Sequence, residues 1–311
     1  MNDIGHSTAR VRSSDGIVVK VLGLFSSVRL YNIVMIAIAQ VFAAVFIISS
    51  SQSITSVLSD YKLWLLIVAS SATIAGGYII NNFYDREKDL INRPQKTMLE
   101  QQVGSQTLWS VYFVLNVLAV VLGYIVSWKA SLFFTLYILS MWLYSHKIKR
   151  GLFIGNLTAA LLAISPFFVL FMYYKNFYSV ILVHGFFLFL IIGMREIIKD
   201  LENLRGDLTH GYKTIPVVLG ERMAKRFYTL LTIISIAPIA LLIINYDIGY
   251  MGYYFAMITG ALLVCLPLLW SSGRRREYLL IHFILKTIIV LGVFSILLID
   301  LDNILIRLQN F

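Results

Sequence analysis

The chain has 311 residues, 59% of them hydrophobic and 14% charged, and a mean hydropathy of +0.81. Soluble domains carry about a quarter charged residues, so this composition excludes a soluble enzyme and indicates a polytopic helical membrane protein. The net charge of +10 does not point to nucleic acid, because the Lys and Arg residues concentrate in alternate loops; the lone Cys265 excludes an internal disulfide and a cysteine metal site and is assigned to packing.

In chain order, residues 1–28 read as a polar N-terminal tail without a cleaved signal peptide, and residues 29–311 read as a single bundle of nine transmembrane helices. The expected spans are 29–50, 62–84, 107–126, 131–144, 152–174, 177–199, 227–245, 252–270 and 279–299. The first opens on Arg29-Leu30-Tyr31-Asn32. The second and sixth each run into an acidic stretch. A basic turn, Ser145-His146-Lys147-Ile148-Lys149-Arg150, follows the fourth, and the fifth carries Asn156 near its start and Pro166 inside it. His146 has no partner at metal spacing and is assigned to the surface.

Of the 26 Lys and Arg residues, 21 fall in the tail, in the loops after the even-numbered helices and at their adjoining helix ends. Four fall on the opposite side, and Lys286 lies within the last helix. The positive-inside rule then puts the N-terminus and both acidic stretches on the cytoplasmic side.

Those two stretches repeat one spacing. Asn82, Asp85 and Asp89 run i, i+3, i+7, as do Asp200, Asn203 and Asp207, 118 residues further on. On a helix each triplet shares one face. Seven of the chain's 16 acidic residues fall in these windows. A salt-bridged, solvated helix end is the bland explanation, since Arg86, Lys88, Arg195, Lys199 and Arg205 are interleaved; repetition of the spacing on one side weighs against it. Oxygen ligands at a membrane boundary suit a hard divalent cation such as Mg2+, held together with a phosphate. Asp85, Asp89, Asp200 and Asp207, helped by the carbonyls of Asn82 and Asn203, are the candidate metal ligands. Lys149, Lys147, Arg93 or Lys213 would neutralise the remaining charge of a diphosphate. An allylic leaving partner would need a water-free, aromatic setting for its cation. Candidates are Phe83, Tyr84, Tyr137, Trp142 and Tyr144, each of which packing explains equally well. Asn32 and Asn156 are either helix–helix hydrogen bonders or contacts to diphosphate or metal.

Asn81-Asn82-x-x-Asp85-x-x-x-Asp89 with Asn92-Arg93-Pro94 resembles the first signature of the UbiA superfamily of intramembrane prenyltransferases. Asp200-x-x-Asn203-x-x-Gly206-Asp207 with Gly211-Tyr212-Lys213-Thr214-Ile215-Pro216 resembles the second. Tyr144-Ser145-x-x-Ile148-Lys149-Arg150 and Gly155-Asn156 resemble the turn after the superfamily's fourth helix. The resemblance implies Mg2+-dependent transfer of a polyprenyl group from its diphosphate to a lipophilic acceptor, in a bundle open sideways to the bilayer. It implies catalytic roles for Asp85, Asp89, Asp200, Asp207 and Lys149. Substrate contacts then fall to Asn32, Asn81, Arg93 and Tyr144, and to Asn156, Lys199 and Lys213. Arg195-Glu196-Ile197-Ile198-Lys199-Asp200 most resembles the ether-lipid-forming branch. That branch implies geranylgeranyl diphosphate as donor and geranylgeranylglyceryl phosphate as acceptor.

The chain departs from the pattern where the superfamily usually has Asp, at Asn82 and Asn203. It also reads Gln95-Lys96-Thr97-Met98-Leu99-Glu100 in place of a second Arg-Pro and a Pro-Ser-Gly segment. Three other readings stay open at this point: an aromatic prenyltransferase of quinone or tetrapyrrole synthesis, a transporter of an anionic lipid, and an inactive homologue.

Overall fold

In a bilayer every backbone amide must be paired within the protein, which leaves helices as the natural element for a chain this apolar. The computed structural model describes residues 13–299 and Leu301, and among these there are helices and no strand. The outer part of the expected tail, residues 1–12, and residues 302–311 lie outside the described residues. In order, the elements are α1 (Ser13–Val28), α2 (Leu30–Phe42) continued by a π-helical turn Ala43–Ile48, α3 (Ile54–Leu58), α4 (Tyr61–Asn92), α5 (Pro94–Glu100) and α6 (Ser105–Val126). Next come α7 (Trp128–His146), a 3-10 turn Ile148–Arg150, α8 (Ile154–Tyr174), α9 (Ser179–Glu202), α10 (Leu204–Thr209) and α11 (Ile215–Leu219). The chain ends with α12 (Glu221–Asn245), α13 (Met251–Ser271) and α14 (Arg275–Ser295), followed by a 3-10 turn Ile296–Leu298.

Eight of these helices are long and apolar enough to span a bilayer. Helix α7 is the ninth long one; Lys129, Ser131, Thr135 and Ser140 make it less apolar, and it packs between α6 and α8, against α4. Each of the nine expected spans thus meets a long helix. Two cores result. One joins α9, α12, α13 and α14; the other joins α2, α4, α6, α7 and α8.

The helices that carry the acidic motifs are the most enclosed. Their apolar windows are 72% buried in α4 and 50% in α9, against 17–33% in the other spans. Small residues explain α4: Ala69, Ser70, Ala72, Thr73, Ala75, Gly76 and Gly77 are all buried. A Cβ on Gly77 would stand 2.2 Å from Met141 Cε, so α7 packs against bare backbone there.

Two differences from the sequence expectation position the site. Helix α4 does not end near residue 84 but runs 32 residues to Asn92, so the first motif is part of one continuous rod. Residues 13–28, expected as polar tail, form α1. Its Gly23 lies against α5, where a Cβ would come within 2.7 Å of Leu99 O, while Ile17, Val18, Val21, Leu22 and Phe25 are exposed. The 13–28 segment carries enough apolar residues for an amphipathic helix; scattered charge in residues 1–15 masked that period.

Candidate active site

Asp85 is the hub of a cluster drawn from four parts of the chain. Its Oδ1 lies 2.8 Å from Lys149 Nζ and 3.4 Å from Lys88 Nζ, and it accepts the Tyr212 hydroxyl at 2.8 Å. Asn81 Nδ2 donates to its Oδ2 at 3.0 Å, and Lys149 Nζ donates to Asn81 Oδ1 at 3.2 Å. Lys88 joins the two motifs: its ammonium is also 3.4 Å from Asp207 Oδ1 and sits 4.1 Å from the centroid of the Tyr212 ring. Asp200 accepts from Asn156 Nδ2 at 2.9 Å. The stretches 118 residues apart in sequence therefore meet at one end of the bundle.

Local backbone makes this meeting possible. Gly155 lets the start of α8 lie on the turn bearing Lys149; a Cβ there would be 3.0 Å from Lys149 O. That approach places Asn156 beside Asp200. Gly206 does the same between α10 and α4, where a Cβ would come within 2.4 Å of Asn92 Nδ2. The second triplet does not share one unbroken helix, as its spacing suggests. Helix α9 stops at Glu202, and Asn203 (φ −99°, ψ 9°) is the joint before α10. Asp207 still hydrogen-bonds through its amide to Asn203 O at 3.1 Å, so the i+7 residue stays on the cluster side.

The cluster is largely buried and strongly charged. Asp85, Lys149, Asp200, Asn203 and Asp207 are all buried. Burial pushes the Lys149 ammonium down to about 8, against the pull of the adjacent Asp85 carboxylate. Burial raises the Asp207 carboxyl, with Lys88 opposing, and it raises the Tyr212 phenol, which Asp85 raises further. The two glutamates of the second motif serve the scaffold, as the bland reading expected. Glu196 pairs with Lys199. Glu202 takes Arg93 at 3.3 Å, His282 at 2.8 Å and Arg275 at 3.7 Å, tying α9 to α5 and α14.

Not every expected site residue reaches the cluster. Asn82 turns away: its Nδ2 donates to Ser27 O on α1 at 3.0 Å, and its Oδ1 is buried without a partner. Arg93 and Lys199 are engaged by Glu202 and Glu196. The Lys213 side chain is exposed, and only its amide, donating to Arg150 O at 2.9 Å, ties that loop to the basic turn. Tyr144 sits among Glu196, Asp200 and Asp85. Asn32 donates to the Tyr78 hydroxyl at 3.2 Å. His146 is exposed and stacks on Trp142, and Cys265 is buried in the core, both as expected.

Sequence reasoning missed the central roles of Lys88 and Tyr212. Lys88 is three residues from Asp85, a readable helical neighbour; nothing local signals its second partner, Asp207. Tyr212 follows Asp207 by five residues, and its backbone N–H donates to Asp207 O at 3.0 Å, a loop closure visible only in the fold.

Could these residues hold a hard cation? Among the described residues, no three His, Cys, Asp or Glu side chains stand close enough to hold a metal by themselves, and lysines fill the space between the motifs. The donor set is nevertheless all oxygen. Asn203 Oδ1 is buried without a hydrogen-bond partner, Asp207 Oδ1 has only its ion pair to Lys88, and Asp89 makes no ion pair among the described residues. Unspent buried oxygen fits a divalent cation.

Beneath the cluster lies an apolar cavity of about 520 Å³. It is walled by Phe133, Phe167, Phe168, Phe171, Phe187 and Phe255, not by the aromatics singled out from the sequence. Tyr137 is spent on packing, and Phe83 and Trp142 are exposed. The cavity starts at Asn32, Tyr78 and Arg195 and reaches Ile48, Met251 and Ile296.

An intramembrane bundle with a charged, oxygen-rich end above a long apolar cavity suits an enzyme that activates a diphosphate while its lipid chain stays in the membrane. The comparisons agree. Residues 37–287 match the model of the UbiA prenyltransferase family, and the chain belongs to that family. It is 32% identical over 267 residues to the digeranylgeranylglyceryl phosphate synthase of Thermococcus gammatolerans, covering 81% of this chain and 90% of that protein. It is 28% identical to the synthase of the same name from Sulfurisphaera tokodaii, covering 83% and 92%. The fold matches a solved structure described as digeranylgeranylglyceryl phosphate synthase with a TM-score of 0.68 at 22% identity, over 90% of this chain and 98% of that one. It also matches a UbiA homologue from Archaeoglobus fulgidus bound to GPP and Mg2+ with a TM-score of 0.65 at 13% identity, over 88% and 99%. The chain is a multi-pass integral membrane protein and a prenyltransferase.

Proposed function

We propose that this enzyme transfers a geranylgeranyl group from its diphosphate to the free hydroxyl of geranylgeranylglyceryl phosphate, making an ether lipid. The observation that carries the reading is the convergence of Asp85 and Asp207 on Lys88 above the apolar cavity, in a chain whose curated relatives are named for that reaction. The distribution of Lys and Arg supports a site on the cytoplasmic side of a cell membrane.

Asp85, Asp89, Asp200, Asn203 and Asp207 would hold Mg2+, which supplies charge neutralisation on the departing diphosphate. Buried Lys149 and half-buried Lys88 are donors for the diphosphate oxygens, and charge-assisted bonds to them strengthen as leaving-group charge develops. The bond from C1 to the diphosphate breaks with both electrons going to the diphosphate. The phenylalanine-walled cavity holds the chain and excludes water from the allylic cation. The acceptor oxygen then bonds C1 and its proton is released. Asn156 orients the Asp200 carboxylate, and Asn82 contributes a bond to α1 in place of a charge.

The test is transfer of label from radiolabelled geranylgeranyl diphosphate by purified protein with Mg2+. Label in the phosphoglycerol lipid supports the reading. Label moving only to aromatic acids or quinols would replace the acceptor. Absence of any transfer together with absence of Mg2+-dependent donor binding would overturn the enzyme assignment for this site.

A further inference from the structure

A second cationic cluster lies apart from the acidic motifs, where the apolar cavity meets the bilayer. Arg195 on α9 and Lys286 on α14 both line the cavity, as do Tyr31 and Asn32 on α2. Lys286 lies 4.7 Å from the centroid of the Tyr31 ring. Arg29, 4.8 Å over the Tyr78 ring, is the third cation, and Lys286 feels the charge of both arginines. Lys286 and Tyr31 are exposed while lining the cavity, so the cavity opens sideways between α2 and α14 at this point.

These charges are at most partly compensated, the neighbouring Glu196 carboxylate acting on Arg195 from beyond ion-pair distance. None of the three forms an ion pair with a carboxylate among the described residues; Arg195 Nε reaches only His282 Nε2, at 3.4 Å, and Glu196 is taken by Lys199. The Arg29 Nε is buried without a hydrogen-bond partner. Lys286 lies within a span and Arg29 and Arg195 at the boundary ends of theirs, and unpaired cations there are costly and mark a site for an anion. An opening towards the bilayer favours an anion carried by a lipid over a freely soluble one. An amphiphile with a phosphate head does, and the apolar walls match its chain.

We infer that Lys286 and Arg195, with Arg29 beside them, bind the phosphate of the lipid acceptor at the lateral mouth of the cavity. Resting on the reading above, this assigns the acceptor's anionic group to a site separate from the donor's diphosphate. Arg195 is five residues before Asp200 on α9, about 7.5 Å along the helix. A short glycerol unit spans much of that gap, bringing its free hydroxyl towards the donor C1. The arrangement selects a phosphorylated lipid alcohol over a neutral one.

The experiment compares wild type with Lys286→Met, Lys286→Arg and Arg195→Met in nanodiscs. It measures transfer to geranylgeranylglyceryl phosphate and to its dephosphorylated alcohol. It also measures equilibrium binding of the phosphorylated lipid without Mg2+ or donor. The Met variants should raise the acceptor KM about ten- to a hundredfold, the scale of a lost charge-assisted bond. The donor KM should stay unchanged, the preference for the phosphorylated acceptor should vanish, and Lys286→Arg should restore most of it. Unchanged acceptor KM, or a rise in donor KM instead, overturns the assignment. If wild type transfers to neither lipid, the proposed reaction fails, but binding still decides the site: phosphorylated lipid held by wild type and lost in Lys286→Met supports it, and equal or absent binding in both overturns it.

Discussion

At the scale of single residues, Asp85 and Asp200 differ in how they are held, and the difference sets what each variant should do. Asp85 balances two ammonium groups, of buried Lys149 and half-buried Lys88, whereas Asp200 is oriented by a neutral amide. Asp85→Asn keeps the shape but leaves Lys88 and Lys149 short of a counter-charge; Asp200→Asn removes a ligand without freeing a cation. Both should lower turnover about a thousandfold, the several kcal/mol that metal-assisted leaving-group stabilisation supplies. Only Asp85→Asn should also lower the melting temperature in detergent. Turnover close to wild type in either variant would remove that carboxylate from the metal site. Lys149→Met should weaken donor binding by about 1–3 kcal/mol, read as the donor dissociation constant in the presence of Mg2+; an unchanged constant would leave Lys149 as a structural partner of Asp85 alone. That Asp85, Asp200 and Lys149 belong to one end of the bundle was legible in the sequence, because helical spacing and residue type are local facts. The turning of Asn82 towards Ser27 was not, since it depends on α1, a helix that the polar start of the chain concealed.

At the scale of elements, the breaks matter as much as the rods. Pro166 cannot donate to the carbonyl four residues back, so Leu162 O is left open in the middle of α8. Tyr137 of α7 fills the need, donating to Leu162 O at 2.8 Å, and Gln40 of α2 donates to Pro166 O at 2.7 Å. Tyr137→Phe should therefore cost about 1–3 kcal/mol, the penalty for a buried unpaired acceptor, seen in thermal unfolding with catalytic constants nearly unchanged. Gly206 holds α10 against the end of α4. Gly206→Ala should displace the Asn92 amide or lift α10, separating Asp207 from Lys88. Turnover should fall at least tenfold while the folded fraction in detergent stays near wild type; full activity would mean that the Asn92 side chain simply moves aside. Pro166 was visible in the sequence, but its partner was not. The joint at Asn203 was likewise hidden, because the i, i+3, i+7 spacing survives a single irregular residue. Helix spans were legible from apolar runs; end points were not, since the charged last turns of α4 carry no apolar signal to mark where the rod stops.

At the scale of the whole molecule, two cores meet along a cavity, and the depth of that cavity limits the chain it accepts. What composition and periodicity could show was the number of helices and the side on which charge gathers. Which helices are neighbours, and that they leave a gap between them, are properties of long-range packing that no local pattern encodes. Gly185 of α9 lines the cavity, and a Cβ built on it meets nothing within 4 Å. It lies 15 residues from Asp200, about 22 Å along the helix. An extended geranylgeranyl chain anchored by its diphosphate at the acidic end reaches about that depth in a hydrocarbon layer of about 30 Å, whereas a geranyl chain stops about halfway. Gly185→Phe should then obstruct the last isoprene unit and leave shorter donors untouched. Overpacking of this kind costs about 1–3 kcal/mol, so the ratio of kcat/KM for geranylgeranyl over geranyl diphosphate should fall about ten- to a hundredfold. A fall in both constants together would indicate general damage to α9, and an unchanged ratio would mean that the donor chain leaves through the opening between α2 and α14 instead of descending into the cavity.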